Sequence, residues 1–167
     1  MTRDLRIGFG YDTHTLAPGG PLRLGGVDVP SEVALQGHSD ADALAHAITD
    51  ALLGAAGLGD IGDHFPPSDE QYRGIDSLLL LEEALRRVRK AGWEPVNVDA
   101  TVIAEAPKLG PFKKKMGETL ARVLGLDSSC VNIKATTHEK MGCFGRGEGI
   151  AAQAVALLAP VRNRAEG

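Results

Sequence analysis

Asp12 and His14 stand two residues apart at the end of a segment, Leu5 to Tyr11, that alternates apolar residues with Gly and Arg. That alternation reads as a strand. Residues two apart on a strand point to the same face, so a carboxylate and an imidazole lie side by side, as two ligands of one metal would. Zinc accepts such N and O donors, and its catalytic sites keep three protein ligands and one open position. The same pair also fits a strand-end Asp bonding a nearby His, and the short motif alone does not choose. His46 supplies a third donor. Asp42, His46 and Asp50 follow at i, i+4 and i+8, on one face of a helix. A lone His among Leu44, Ala45, Ala47 and Ile48 is often a hydrogen-bonded core residue. The flanking carboxylates favour a ligand whose second ring N–H one of them accepts.

Further segments carry polar groups suited to phosphate. His38-Ser39 opens the helix of His46, where N-terminal amides and the dipole make an anion site. Ser39 also reads as the N-cap, with Asp42 at the capping-box position. Between 59 and 69 runs a long polar loop whose Asp60 could accept hydrogen bonds from substrate hydroxyls, or simply be solvated. Lys134 to Lys140 ends a strand with Thr136, Thr137 and Glu139, and Glu139 is a hard oxygen ligand suited to Mg²⁺ at a diphosphate. The glycine-rich stretch 142–149 allows close backbone approach but lacks a Walker pattern.

The elements that must hold these groups follow from pattern. Leu22 to Val29 reads as a hairpin arm turning at Gly25-Gly26. Helices are expected over 40–56, 76–91 and 111–124, ended by Gly57, Gly92 and Gly125. Leu78, Leu81, Leu85 and Val88 would form the buried stripe of the second, with Glu83 and Arg87 paired at its surface. Strands are expected over 96–105 and 131–137. The segment 150–158 reads as strand or helix. The order β-β-α-α-β-α-β-β makes one α/β or α+β domain over 1–167, with a frayed tail at 162–167.

A chain of 167 residues, 43% hydrophobic, fits one such domain with a real core. The formal charge of -4 argues against nucleic-acid binding, though metal ions would still let the protein hold phosphates. Cys130 and Cys143 form no C-x-x-C pair, and no apolar run is long enough for a bilayer. A reduced, cytoplasmic setting without signal peptide or membrane is expected.

Taken together, Arg6 to His14, His38-Ser39-Asp40 through Asp50-Ala51-Leu52-Leu53-Gly54, Gly59-Asp60-Ile61-Gly62, Ala106-Pro107-Lys108, Lys134 to Thr137 with Glu139-Lys140, and Gly145 to Gly149 resemble the 2-C-methyl-D-erythritol 2,4-cyclodiphosphate synthase family over nearly the whole chain. The resemblance implies a mixed β-sheet packed by helices, chorismate-mutase-like, assembled as a homotrimer with sites between subunits. It implies conversion of 4-diphosphocytidyl-2-C-methyl-D-erythritol 2-phosphate to the 2,4-cyclodiphosphate and CMP, in non-mevalonate isoprenoid synthesis. Zn²⁺ would sit on Asp12, His14 and His46, and Mg²⁺ or Mn²⁺ on Glu139. His38 and Thr137 would stabilise the transition state. Asp60, Ile61 and Gly62, with Phe65, Pro66, Pro67, Ser68 and Asp69, match its methylerythritol pocket. Ala104, Glu105, Ala106, Pro107, Lys108, Leu109 and Gly110, with Thr136 and Thr137, match its cytidine and diphosphate pocket, and Thr13, Ser39 and His138 also belong to its substrate set. Cys143 and Arg146 close the set, the latter at a position linked to an isoprenoid diphosphate or phosphate. Pro67, Glu105, Gly110, His138 and Cys143-Phe144 depart from the usual family pattern. Two other readings use the same residues: a metal-dependent phosphohydrolase, and a non-catalytic binder of isoprenoid diphosphates.

Overall fold

The opening alternation becomes β1 (Arg6–Pro18), longer than its apolar pattern suggests because it continues through Asp12 and His14. The computed structural model describes residues 4–161; the tail expected at 162–167 lies outside them. After β1 come a two-stranded hairpin, β2 (Leu22–Leu24) and β3 (Val27–Val29), and a short edge strand, β4 (Val33–Leu35). Gly25 and Gly26 form the hairpin turn with φ of 57° and 71°, the doubly positive geometry that a two-residue hairpin loop requires. Then follow α1 (Ala43–Ala56), α2 (Ile61–His64), α3 (Ser77–Lys90), β5 (Trp93–Ile103), α4 (Lys113–Leu124), β6 (Val131–Thr136), α5 (Gly142–Gly145) and β7 (Gly149–Pro160). The final apolar segment is therefore a strand. It takes the middle of a five-stranded sheet ordered β4-β1-β7-β5-β6, antiparallel except for the β5–β6 pair.

Helix α1 lies against the inner face of this sheet, on β1 and β7. Gly8 and Gly10 make that approach possible. A Cβ on Gly8 would stand 1.9 Å from the Ala51 carbonyl oxygen, and one on Gly10 1.9 Å from that of Ala47. Ala152, Ala154 and Ala156 continue the small-residue floor on the neighbouring strand, each buried. The other side of α1 buries Leu44, Ile48, Leu52 and Leu53 completely, each such side chain contributing about 1.5–3 kcal/mol.

The start of α1 differs from expectation. Ala41 has φ of 58°, which reverses the chain after Asp40 and prevents a helix from starting at Ser39. Asp42 is the N-cap instead, accepting from the Ala45 N–H. Its buried carboxylate also accepts from Gly25 at 2.8 Å and Gly26 at 2.7 Å, so one side chain joins the helix start to the hairpin turn. In α3 the buried apolar side chains are Leu80, Leu81, Ala84, Leu85 and Val88, and Leu78 is only half-buried. Glu83 pairs with Arg87 as expected, and with Arg86 too. The segment 57–74 is less irregular than its composition implies: it contains α2 and a 3-10 turn at Glu70–Tyr72.

Among the described residues no helix covers the outer face of the sheet. Ile7, Phe9 and Val155 sit there side by side, 74%, 61% and 42% exposed. Replacing Gly10 by Ala should push α1 off β1. Overpacking of this kind costs about 1–3 kcal/mol or more, so the urea midpoint should fall clearly below the parent's. An unchanged midpoint would show that α1 is not held by this backbone contact.

Candidate metal centre

The close packing of α1 on β1 sets three side chains face to face. Asp12 and His14 project from the inner face of β1, in line with Gly8 and Gly10. His46 projects from the first turn of α1 and is 8% exposed. Asp12 Oδ2 lies 2.9 Å from His14 Nε2 and 3.1 Å from His46 Nδ1, and the two ring nitrogens are 3.2 Å apart. In a tetrahedral zinc site with bonds near 2.0–2.1 Å, neighbouring donors stand about 3.3 Å apart. The donor triangle thus matches one face of such a tetrahedron, and one carboxylate with two imidazoles is a donor set that zinc accepts. Among the described residues this is the group of His, Cys, Asp and Glu side chains that converges in this way.

Burial disfavours the charged forms of Asp12 and His14, but their interactions with each other prevail. Hydrogen bonds from His14 and His46 hold the Asp12 carboxyl far below the usual range. The Asp12 hydrogen bond and charge, with the Gln36 carbonyl, push the His14 imidazole up. A metal ion entering here would compete with the proton that His14 holds.

The partners of the second ring nitrogens differ from the flanking carboxylates expected. His14 Nδ1 donates to the Gln36 carbonyl at 2.8 Å. His46 Nε2 faces Ser77 Oγ at 2.8 Å and Ser39 Oγ at 3.1 Å. Asp42 is committed to three backbone N–H groups. Asp50 accepts from the Ile61 N–H at 2.7 Å, so α1 also fixes where α2 begins.

A cavity of about 280 Å³ opens beside this cluster, lined by His14, His38, Ser39 and His46 on one side and Ile61, Gly62, Phe65 and Pro67 on the other. Tyr72 and Leu80 complete it, and sequence reasoning passed over both. Tyr72 meets Phe65 edge to face. His38 donates through Nε2 to the Asp69 carbonyl at 3.1 Å. Asp60 stands outside this lining; its carboxylate caps α2 in a reciprocal pair with Asp63. Pro66 and Ser68 also fall outside the lining, and Asp69 meets His38 only through its backbone. Thr13, between the two ligands, points to the outer face of the sheet.

A second cavity of about 310 Å³ lies across the sheet at the same end of the strands, where Thr13, Ala151, Ile103 and Thr136 stand in one row. Ala104, Glu105, Pro107, Lys108, Leu109 and Gly110 line it, together with Thr136 and Thr137. Ala106 is outside that lining and exposed. Pro111, Lys113 and Ala135 belong to it although they stood outside the expected substrate set. Thr137 Oγ1 donates to Glu139 Oε1 at 3.0 Å, and Glu139 is exposed with φ of 50°. His138 instead packs edge to face on Phe144. Cys143 is exposed in α5, and Arg146 is exposed and paired with Glu148 at 2.6 Å. β1 and β6 are separated by β7 and β5, so three strand spacings, about 14 Å, divide the metal cluster from the Thr136 edge of one chain.

Comparison with known proteins places this arrangement. A protein of Bordetella petrii named 2-C-methyl-D-erythritol 2,4-cyclodiphosphate synthase is 60% identical over 159 residues, covering 95% of this chain and 98% of its own. The bifunctional IspDF of Campylobacter jejuni superposes with a TM-score of 0.93 at 42% identity over 96% of this chain; this chain spans 43% of its length. A CDP complex of IspF from Plasmodium falciparum superposes with a TM-score of 0.83 at 35% identity, covering 97% of this chain and 100% of that one. The sequence pattern of the YgbB family matches residues 5–159, from the start of β1 almost to the end of β7, and the chain belongs to that family.

Proposed function

We infer that this chain converts 4-diphosphocytidyl-2-C-methyl-D-erythritol 2-phosphate to 2-C-methyl-D-erythritol 2,4-cyclodiphosphate with release of CMP, a step of isoprenoid precursor synthesis. The observation that carries this reading is the convergence of Asp12, His14 and His46 beside a cavity walled by His38, Ser39 and Phe65. The 60% identity to a synthase of that name supports it. The CDP complex of a structural relative supports a cytidine-diphosphate ligand for the second cavity, at Ala104 to Gly110 and Thr136-Thr137.

In this reaction the 2-phosphate of the substrate attacks its own β-phosphorus, and the bond from that phosphorus to the CMP oxygen breaks. Nucleophile and leaving group belong to one molecule, so holding it curled supplies much of the rate. Zinc at Asp12, His14 and His46, and Mg²⁺ or Mn²⁺ at Glu139, would supply positive charge against the anionic phosphates. Phe65, Ile61 and Gly62 enclose the carbon chain. His38 and Thr137 donate hydrogen bonds to phosphate oxygens as charge shifts toward CMP. No Ser or Cys nucleophile is needed. Turnover of the cytidyl substrate with product masses tests the reading: CMP and cyclic diphosphate support it, while inorganic phosphate without CMP indicates a phosphohydrolase.

The assembly proposed is a homotrimer whose neighbours share each site. Two features support it: the apolar outer face of the sheet, and the distance of about 14 Å between the two half-sites of one chain. An isoprenoid diphosphate bound near Arg146 is a further ligand of such an assembly.

His46→Ala should leave a folded protein with little bound zinc and turnover reduced more than about 100-fold, beyond what loss of an outer partner of a metal ligand costs. Metal analysis and a turnover assay decide it; normal zinc content with normal activity removes His46 from the site. Glu139→Gln should lower turnover by about 100-fold, keep zinc, and recover partly at high Mg²⁺ or Mn²⁺. An unaltered Mg²⁺ dependence would leave Glu139 a surface carboxylate. Co-expressing His46→Ala with an inactive Thr137→Ala chain should restore roughly one quarter of all sites, since each mixed trimer then has a subunit with intact ligands facing an intact Thr137. Confirmed mixed trimers without recovered activity would place each site within one chain.

A further inference from the structure

His46 meets Asp12 and His14 through Nδ1, so its use as a ligand depends on where the ring proton sits. The other nitrogen, Nε2, faces two hydroxyls, which either donate or accept. Their own neighbours decide between these. Ser77 Oγ is hydrogen-bonded to Asp40 Oδ1, and the Ser77 backbone N–H donates to Asp40 Oδ2 at 3.1 Å. The guanidinium of Arg23 lies 3.7 Å from that same Oδ2. A carboxylate only accepts, so the Ser77 proton goes to Asp40 and only lone pairs remain for His46. Nε2 must then carry the imidazole proton, and with a metal ion held among Asp12, His14 and His46 it is the Nδ1 lone pair that faces the ion. Ser39, which accepts from the Ala41 N–H at 3.3 Å, is compatible as a longer second acceptor. His14 is set in the opposite sense, because the Gln36 carbonyl can only accept from Nδ1 and leaves Nε2 as the donor atom.

Capping of α3 does not account for the Ser77 hydroxyl. It is fully buried at the first position of α3, but the cap of that helix is Asp76, which accepts from the Leu78 N–H at 2.8 Å. We propose that Ser77, oriented by Asp40, is a positioning residue of the metal centre: it fixes His46 as the Nε2–H tautomer and so makes Nδ1 the ligand atom. This rests on the metal reading of Asp12, His14 and His46. It ties that cluster to the start of α3 and to the segment that carries His38.

Nitrogen-15 spectra of ring-labelled histidine in the full chain, zinc-loaded and zinc-stripped, read the tautomers without any substitution. The expected result is Nε2–H for His46 and Nδ1–H for His14 in the zinc-loaded form, with the stripped form as the reference. Zinc affinity is then measured by chelator competition. Ser77→Ala and Asp40→Asn should each bind zinc about 10- to 100-fold more weakly, as loss of a partner behind a metal-bound histidine does. In Asp40→Asn the new amide donates to Ser77, whose proton then turns toward His46. Asp76→Asn, which weakens the cap of α3 and a contact of Arg23, should lower thermal stability yet keep zinc affinity within about twofold, since it leaves the Ser77–His46 pair intact. A parent that holds no zinc overturns both this assignment and the metal reading. A parent that holds zinc with Nδ1–H on His46 overturns this assignment alone, as does a folded Ser77→Ala with parental zinc affinity.

Discussion

The backbone contact between α1 and β1 is the constraint on which the rest of the site depends. With Gly8 and Gly10 beneath it, the helix meets the strand through carbonyl oxygens, without side chains between them. That shortens the gap enough for His46 to reach two residues of the same strand. The helix then distributes position to everything around it. Asp42 holds the hairpin turn at one end, and Asp50 holds the first residue of α2. At the far end Arg6 donates to the Ala56 carbonyl at 3.2 Å and lies over Trp93, a cation placed where the helix dipole favours one. One helix therefore sets the metal cluster, one wall of its cavity and the packing of the hairpin.

The legible part of the site was the part with short-range periodicity. Asp12 and His14 could be paired because a strand repeats every two residues, and His46 could be added because its helix places it toward the core. The partners of those ligands were not legible. Ser77 is 31 residues from His46 and looked like an ordinary helix start, and only the packing of α3 on α1 joins them. Asp50 was correctly placed on the helix of His46, while Asp42 proves to be its N-cap, and both carboxylates bond backbone N–H groups of neighbouring loops and turns. The helix start was misjudged by three residues because Ala41 adopts a left-handed conformation that nothing in its side chain announces. The edge strand β4, three residues long, and the one-turn helices α2 and α5 are too short to show a period.

The two cavities differ in construction. The one beside the candidate metal cluster joins the apolar side chains of Ile61, Phe65 and Leu80 to the polar groups of His14, His38, Ser39 and His46. The other is framed by the ends of β5 and β6 and rimmed by Lys108 and Lys113. Because β5 and β6 are parallel, Ala104 and Thr136 emerge together at one end of the sheet, and the Ala104 N–H donates to the Thr136 carbonyl at 3.0 Å. Strand ends of this kind leave backbone groups available to a ligand, which suits a base and a diphosphate better than a hydrocarbon.

The uncovered outer face of the sheet has a consequence for how the protein resists heat. Ile7, Phe9 and Val155 leave much of their apolar surface in water, where it adds nothing to stability. Any complex that shields them draws the equilibrium toward the folded form by mass action, more strongly as chains become more abundant. Where the shielding partner is another copy of this chain, thermal tolerance becomes a property of expression level as well as of sequence, and dilution acts as a denaturant.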